Sequence, residues 1–216
     1  MALFQNRLDA GRQLAQRLAQ FKRARPIVLG IPRGGVVVAE PIADALHAPL
    51  YPLIVRKIGA QGNEEVALGA VSVDEQPVWN KDAMRIVQPD ADWLEEKVRQ
   101  KIKEVRERKK AFDFFNIPPL KDRTVIMVDD GIATGASFEA ALQWLKRQKM
   151  ARIVATVACA PTDTAERLKG QVDEWICLIE SPDFAAVGQF YKDFREVTDE
   201  EVKIILARWA KKQKRQ

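Results

Sequence analysis

One stretch constrains the fold of this chain more than any other: Val125-Ile-Met-Val-Asp129-Asp130-Gly131-Ile-Ala-Thr134-Gly135-Ala136-Ser137. Four consecutive apolar residues show no polar alternation, which predicts a strand buried on both faces, as in parallel sheets covered by helices. Two adjacent carboxylates end that strand. The loop behind them is built of small residues, whose backbone can come close to a ligand. A helix is predicted from Ser137 to Arg147, and the free N–H groups and positive dipole end at its start suit a phosphate. Vicinal ribose hydroxyls are natural partners for the two carboxylates, as in nucleotide folds where an acidic residue holds a ribose hydroxyl. The alternative reading is an ordinary strand–turn–helix junction in which the aspartates only form the turn.

The same unit recurs along the chain. Apolar spacing predicts a helix over Phe4–Phe21, then a strand over Pro26–Ile31 that ends in Pro32-Arg33-Gly34-Gly35. A helix over Val36–Leu46, irregular at Pro41, leads to a strand over Leu50–Val55 that closes on Arg56-Lys57. Gly59–Glu65 reads as a mobile polar loop, and Ala67–Val73 with Pro77–Trp79 as short hairpin-like strands. A long helix over Asp90–Phe112 carries an apolar stripe of Trp93, Leu94, Val98, Ile102 and Val105, with Glu95/Arg99 and Glu104/Arg108 as ion pairs on its wet side. Further strands are predicted at Thr124–Val128, Arg152–Ala158 and Val172–Ile179. Asp163 with Glu166 reads as a capping pair, and Thr198 with Glu201 as the capping box of a last helix. Short apolar strands alternating with helices imply one α/β domain over residues 1–216 with a doubly wound, mainly parallel sheet. Ligands of such sheets bind at the carboxyl ends of the strands. Three polar clusters fall there: Pro32–Gly35, Arg56-Lys57 and Asp129–Ser137.

The formal charge of +5 admits nucleic acid or a small polyanion as partner. Glutamates interleave the basic helix Lys97–Lys110, which therefore reads as a solvated face, and nucleic acid is not the expected partner. Cys159 and Cys177 sit in apolar runs and read as small buried side chains. With His47 the only histidine, little is left for a zinc site, and His47 itself reads as a surface or capping residue. The N-terminus has no apolar signal region and no run reaches membrane-spanning length, so a cytoplasmic protein with no membrane partner is expected.

The segment Val125–Ser137 resembles the signature of the type I phosphoribosyltransferases. Ile31-Pro-Arg-Gly-Gly35 resembles that family's pyrophosphate loop, which often holds a non-proline cis peptide. Val55-Arg-Lys-Ile-Gly59 resembles the basic strand end before its flexible loop, and Glu180–Phe194 resembles its hood. The stretch near 81–118 is similar to an insertion in a group of bacterial members without an assigned acceptor. The resemblance implies the type I phosphoribosyltransferase fold with a small hood, 180–197, and a helical insertion, 81–118. It implies an enzyme, a pentosyltransferase that moves ribose 5-phosphate from phosphoribosyl diphosphate to a nitrogenous acceptor and releases pyrophosphate, with Mg²⁺ as cofactor and Asp193 approaching the metal or the base. Asp129 and Asp130 would hold the ribose hydroxyls. Gly131, Ala133, Thr134, Gly135, Ala136 and Ser137 would surround the 5′-phosphate. Arg33, Gly34, Gly35, Arg56 and Lys57 would hold the diphosphate. Phe184, Val187 and Tyr191 would form the acceptor side, with Glu64 or Glu65 acting on the acceptor from a lid. Members acting on 6-oxopurines carry aspartate where this chain has Ala133, which implies an adenine-like base or related compound instead. A homodimer is one expectation left open. The alternative on the same fold is a regulator that senses the donor and binds nucleic acid through the basic C-terminal tail.

Overall fold

The computed structural model describes residues 3–112 and 117–213, without the side chains of Glu65 and Gln213. Lys214 and Arg215 of the basic tail, and part of the 81–118 insertion, lie outside the described residues.

In chain order the elements are α1 (Arg7–Arg17), a 3-10 helix (Ala19–Ala24), β1 (Ile27–Gly30), α2 (Gly34–Leu46), β2 (Leu50–Pro52), β3 (Val55–Ala60), β4 (Asn63–Ser72), β5 (Val78–Trp79), α3 (Lys81–Val87), α4 (Ala91–Ala111), β6 (Thr124–Asp129), α5 (Ala136–Lys146), β7 (Arg152–Pro161), α6 (Thr162–Lys169), β8 (Glu174–Ser181), a 3-10 turn (Val187–Phe190) and α7 (Asp199–Gln213). Five strands form one parallel sheet in the order β2-β1-β6-β7-β8. Alternating side chains sort onto two covered faces. Ile27, Leu29, Val125, Met127, Ala155 and Val157 join Phe138, Leu142 and Leu145 of α5. Val28, Ile126, Val128 and Val154 join Leu14 of α1, Val36 and Ile42 of α2, and Val202 and Leu206 of α7. The uninterrupted apolar run of β6 is thus required by a strand that has helices on both sides.

The expected strand over Leu50–Val55 is split. β2 stops at Pro52, which has no N–H to continue a ladder, and β3 belongs to a separate antiparallel sheet, β3-β4-β5. Arg56 and Lys57 therefore lie in this second sheet and not at the carboxyl end of a parallel strand. The expected mobile loop Gly59–Glu65 is a hairpin: β3 and β4 pair antiparallel from Val55↔Ser72 to Ala60↔Asn63. Gly62, at φ 77°, makes the turn. Polar side chains hid the strand because the ladder is made by backbone.

α4 matches its expected bounds, with the Asp90 side chain accepting the Trp93 N–H at 2.9 Å. Its stripe leans on the hairpin, with Val105 fully buried. Arg99 pairs with Glu95 at 2.9 Å. Glu104 and Arg108 do not pair with each other: Glu104 reaches Arg56 at 3.3 Å, and Arg108 binds Asp199. The short helix α3 was not expected. Asp163 and Glu166 form no capping box, since α6 starts directly after Pro161, and Asp163 accepts the neighbouring Thr164 N–H at 2.7 Å. The box at α7 forms: Thr198 accepts from Glu201 N–H at 3.2 Å, and Glu201 accepts from Thr198 N–H at 2.9 Å. His47 closes α2 in the left-handed conformation. Cys159 is buried and Cys177 half-buried, and both are free thiols. No described helix is long and apolar enough to cross a membrane.

Candidate active site

β1 and β6 are neighbours whose onward connections diverge, β1 toward β2 and β6 toward β7 and β8. A doubly wound sheet opens its ligand crevice at such a reversal. Two of the three polar clusters leave the sheet there. Ile31 N–H donates to Val128 O at 2.9 Å, which holds the loop 31–35 beside the end of β6. The Pro32–Arg33 peptide is cis. Gly34 then opens α2 against the Asp130 carboxylate so closely that a β-carbon there would overlap Asp130 Oδ2. Gly35 lies over Asp129, whose Oδ1 would be 3.0 Å from an added β-carbon. The glycines thus bring the start of a helix, with its unpaired N–H groups, into contact with both carboxylates.

The two carboxylates differ. Asp129 Oδ1 accepts the Asp130 N–H at 2.9 Å. Burial, reinforced by the facing Asp130 charge, holds the Asp129 carboxyl well above the ordinary carboxylate range, against the opposing pull of Arg7. Asp130 instead receives Arg7 Nε at 2.6 Å. A carboxyl with a raised native pKa binds its proton more tightly folded than unfolded. Between the ordinary carboxylate range and that native value, stability therefore falls as pH rises. Asp129→Asn keeps the shape without the charge. It is expected to raise the melting temperature of the ligand-free protein on the alkaline side of that window and to lose the advantage in acid. Thermal melts across a pH series check this, and an unchanged melting temperature at every pH would contradict it.

The loop from Gly131 to Gly135 is pinned from its outer side. Ile132 N–H donates to Cys159 O at 2.9 Å, Thr164 Oγ1 donates to Ala133 O at 3.3 Å, and Arg167 donates to Thr134 O at 2.8 Å. In a trans peptide the N–H points opposite the C=O. The N–H groups of Thr134 and Gly135 therefore face away from α6. Gly135, at φ 81°, turns the chain into α5, and Thr134 and Ser137 are exposed. An anion on the loop's inner side would meet these N–H groups, the start of α5 and two hydroxyls.

The remaining candidates are spread around this centre. Arg33 binds Glu196, with Asp199 at 4.0 Å. Asp199 also holds Arg108, while Arg56 pairs with Glu104 at 3.3 Å. Burial, then the Arg108 charge, lowers the Arg56 pKa. Glu64 accepts from Lys97 at 2.7 Å, which lowers its pKa, and Lys57 stands near it. The side chain of Glu65 is outside the described residues.

In the hood, Val187 packs on Gly131, where a β-carbon would overlap it. Tyr191 offers no open face to a ring: it is 5% exposed, lies between Phe4 and Phe194, and donates its hydroxyl to Asp130 O at 2.5 Å. Burial pushes its pKa up. Phe184 is half-buried and lines a cavity of about 610 Å³ with Ala133, Thr134, Pro161, Asp163 and Glu166. Asp193 lines a different cavity, between α1, α2 and α7, and its carboxylate accepts the Arg195 N–H at 3.2 Å. Among the described residues no group of three or more His, Cys, Asp or Glu is placed to hold a metal ion.

Arg7 and Arg167 were not anticipated. No local pattern marks either, since Arg7 meets Asp130 across 123 positions of chain.

The family model for the phosphoribosyl transferase domain matches residues 2–195. The chain is 42% identical over 209 residues to "Putative phosphoribosyl transferase Rv0571c" of Mycobacterium tuberculosis, covering 96% of this chain and 47% of the relative. It therefore spans about half the length of the curated relatives it matches. The crystal structure of TT1426 from Thermus thermophilus is similar at 42% identity and a TM-score of 0.89, covering 96% of this chain and 99% of the other. Purine phosphoribosyltransferase from Pyrococcus horikoshii shares the fold at 17% identity and a TM-score of 0.50, covering 92% and 97% of the two chains.

Proposed function

This chain belongs to the phosphoribosyl transferase domain family, and from that premise we propose that it moves ribose 5-phosphate from phosphoribosyl diphosphate to a nitrogenous acceptor, releasing pyrophosphate. The observation that carries the reading is the meeting of Asp129 and Asp130 with the Gly34-Gly35 helix start and the pinned loop 131–137 at the sheet's reversal point. In this reading the two aspartates hold the ribose hydroxyls, and the loop with Thr134 and Ser137 holds the 5′-phosphate. The N–H groups at Gly34 and Gly35 receive the diphosphate. Arg33 joins them by exchanging Glu196 for a phosphate oxygen, and Arg56 and Lys57 supply positive charge from the hairpin.

An acceptor nitrogen forms its bond to the anomeric carbon as the bond to the diphosphate oxygen breaks. The electron pair leaves with pyrophosphate. Stabilising that charge is the largest help the protein can give. The residues fit Mg²⁺ carried on the diphosphate, because such ions are held mainly by substrate phosphates and water with one or two carboxylates. Bound there, it would neutralise charge on the leaving group. Asp129 and Asp130 are the carboxyls beside the Gly34-Gly35 turn, and Asp193 would approach the metal or the base from the hood. The same reading takes residues 1–216 as one domain acting in the cytoplasm.

The acceptor is assigned to the cavity beside Ala133 and Phe184. Asp163 and Glu166 on its wall accept hydrogen bonds, which favours a ring bearing an amino group. Ala133 offers no base to a 6-oxopurine, and Glu64 or Glu65 of the β3–β4 hairpin would act on the acceptor. Pyrophosphate release with adenine, hypoxanthine, guanine, uracil and small amines tests this. Adenine or a related amine is expected to turn over at roughly 1 per second or faster, and hypoxanthine about 100-fold more slowly. Equal turnover of hypoxanthine would remove the acceptor assignment. Silence across the whole panel, with donor and Mg²⁺ present, would remove the transferase reading.

A further inference from the structure

We propose that Arg7 is the positioning residue of the donor site, fixing the Asp130 carboxylate against the Gly34 turn and tying it to the hood. The inference rests on the assignment of Asp130 to the donor's ribose.

Arg7 is the first residue of α1, and its side chain is 11% exposed. Its guanidinium makes three contacts with two separate parts of the chain, the end of β6 and the hood. Nε donates to Asp130 Oδ2 at 2.6 Å, a second nitrogen donates to Arg195 O at 2.8 Å, and the plane lies 3.9 Å above the Phe194 ring. The Asp130 oxygen that Arg7 binds is also the one pressed on Gly34. One carboxylate oxygen is thereby committed to the scaffold, and Oδ1 remains for a hydroxyl. The Tyr191 hydroxyl closes the junction from the hood side through Asp130 O.

Stability alone is a poor explanation for this pair. Two buried charges lose much of their solvation, and apolar residues of the same volume often replace such a pair without loss. A fixed carboxylate is a different matter, since a site that binds by geometry needs its first contacts held by others. A planar fork that stacks and donates in two directions does this, and a lysine ammonium cannot. Arg7 therefore acts on the donor through Asp130 and on the acceptor side through Phe194 and Arg195.

The test measures the Kd for phosphoribosyl diphosphate by calorimetry and the acceptor KM, for wild type, Arg7→Met, Arg7→Lys, Asp130→Asn and the Arg7→Met/Asp130→Asn double variant. Arg7→Met is expected to weaken donor binding about 10-fold or more. Arg7→Lys should recover only a minor part of that loss, through its charge, while the acceptor KM stays raised. In the Asp130→Asn background, Arg7→Met should add less than about 3-fold, because the two residues act through one contact. Should Arg7→Met fail to fold, Phe194→Leu, which removes the stacking face and keeps the ion pair, is expected to raise the acceptor KM with the donor Kd held. A lowered melting temperature with unchanged Kd and KM, or effects of Arg7→Met and Asp130→Asn that simply multiply, would overturn the positioning role. A wild type that binds no donor would instead remove the donor assignment, and this inference with it.

Discussion

Replacing Asp129 and Asp130 together by asparagine is expected to abolish measurable binding of phosphoribosyl diphosphate. Each carboxylate that accepts a hydroxyl contributes about 1.5–3 kcal/mol as a charged hydrogen-bond partner. The pair together therefore accounts for roughly 3–6 kcal/mol, a loss of about 100-fold to 20,000-fold in affinity. The two single variants should part company in stability. On the alkaline side of its titration, Asp129→Asn removes a charge that burial and Asp130 disfavour, so there the fold gains. Asp130→Asn leaves Arg7 buried without its counter-ion, at a cost of about 3–5 kcal/mol. Calorimetry beside thermal melts separates the effects: Asp129→Asn should bind donor poorly while melting higher. Donor affinity within about 3-fold of wild type in the double variant would sink the ribose assignment.

The second large effect is expected at Phe4→Ala. Phe4 is 1% exposed, its ring lies 5.1 Å from Tyr191, and its backbone accepts from Lys192 N–H at 2.8 Å and donates to Phe190 O at 2.9 Å. It anchors a small separate core of Phe190, Tyr191 and Cys159 under the hood. Truncating a buried phenylalanine costs about 3–5 kcal/mol, which for a chain of this size lowers the melting temperature by on the order of 10 °C. Phe4→Ala leaves the Arg7–Asp130 pair and the Gly34 turn in place, so the donor Kd should stay within about 3-fold while the acceptor KM rises by about 10-fold. Kinetics with both substrates varied checks this. An equal loss on donor and acceptor sides would mean that the hood does not serve the acceptor alone.

What the sequence disclosed was mostly local. The apolar run of β6 implied helices on both faces, and the Gly34-Gly35 and Thr134-Gly135 turns marked where backbone would be bare, because small residues and strand ends are short-range features. The hairpin β3–β4 was missed because Gly59–Glu65 carries polar side chains on a backbone ladder. Arg56 and Lys57 were placed at a parallel strand end because Pro52, short of the expected stop at Val55, looked like part of one strand. Arg7 was invisible for a different reason. Its partner stands 123 residues away, and its burial follows from how α1 and the hood close over the end of β6. Tyr191, expected on the acceptor side, is held by Phe4 and Phe194, contacts that only the folded chain creates.

Group transfer from the donor can be followed in one reaction mixture by phosphorus NMR. The protein is mixed with phosphoribosyl diphosphate, Mg²⁺ and adenine, and the diphosphate and phosphomonoester signals are followed together. Donor signals are expected to decay while free pyrophosphate and a new nucleotide phosphomonoester grow in equal amounts, and Asp129→Asn/Asp130→Asn is expected to leave the donor intact. Donor that persists beside wild-type protein with every acceptor of the panel, or that decays identically beside the double variant, would contradict this transfer.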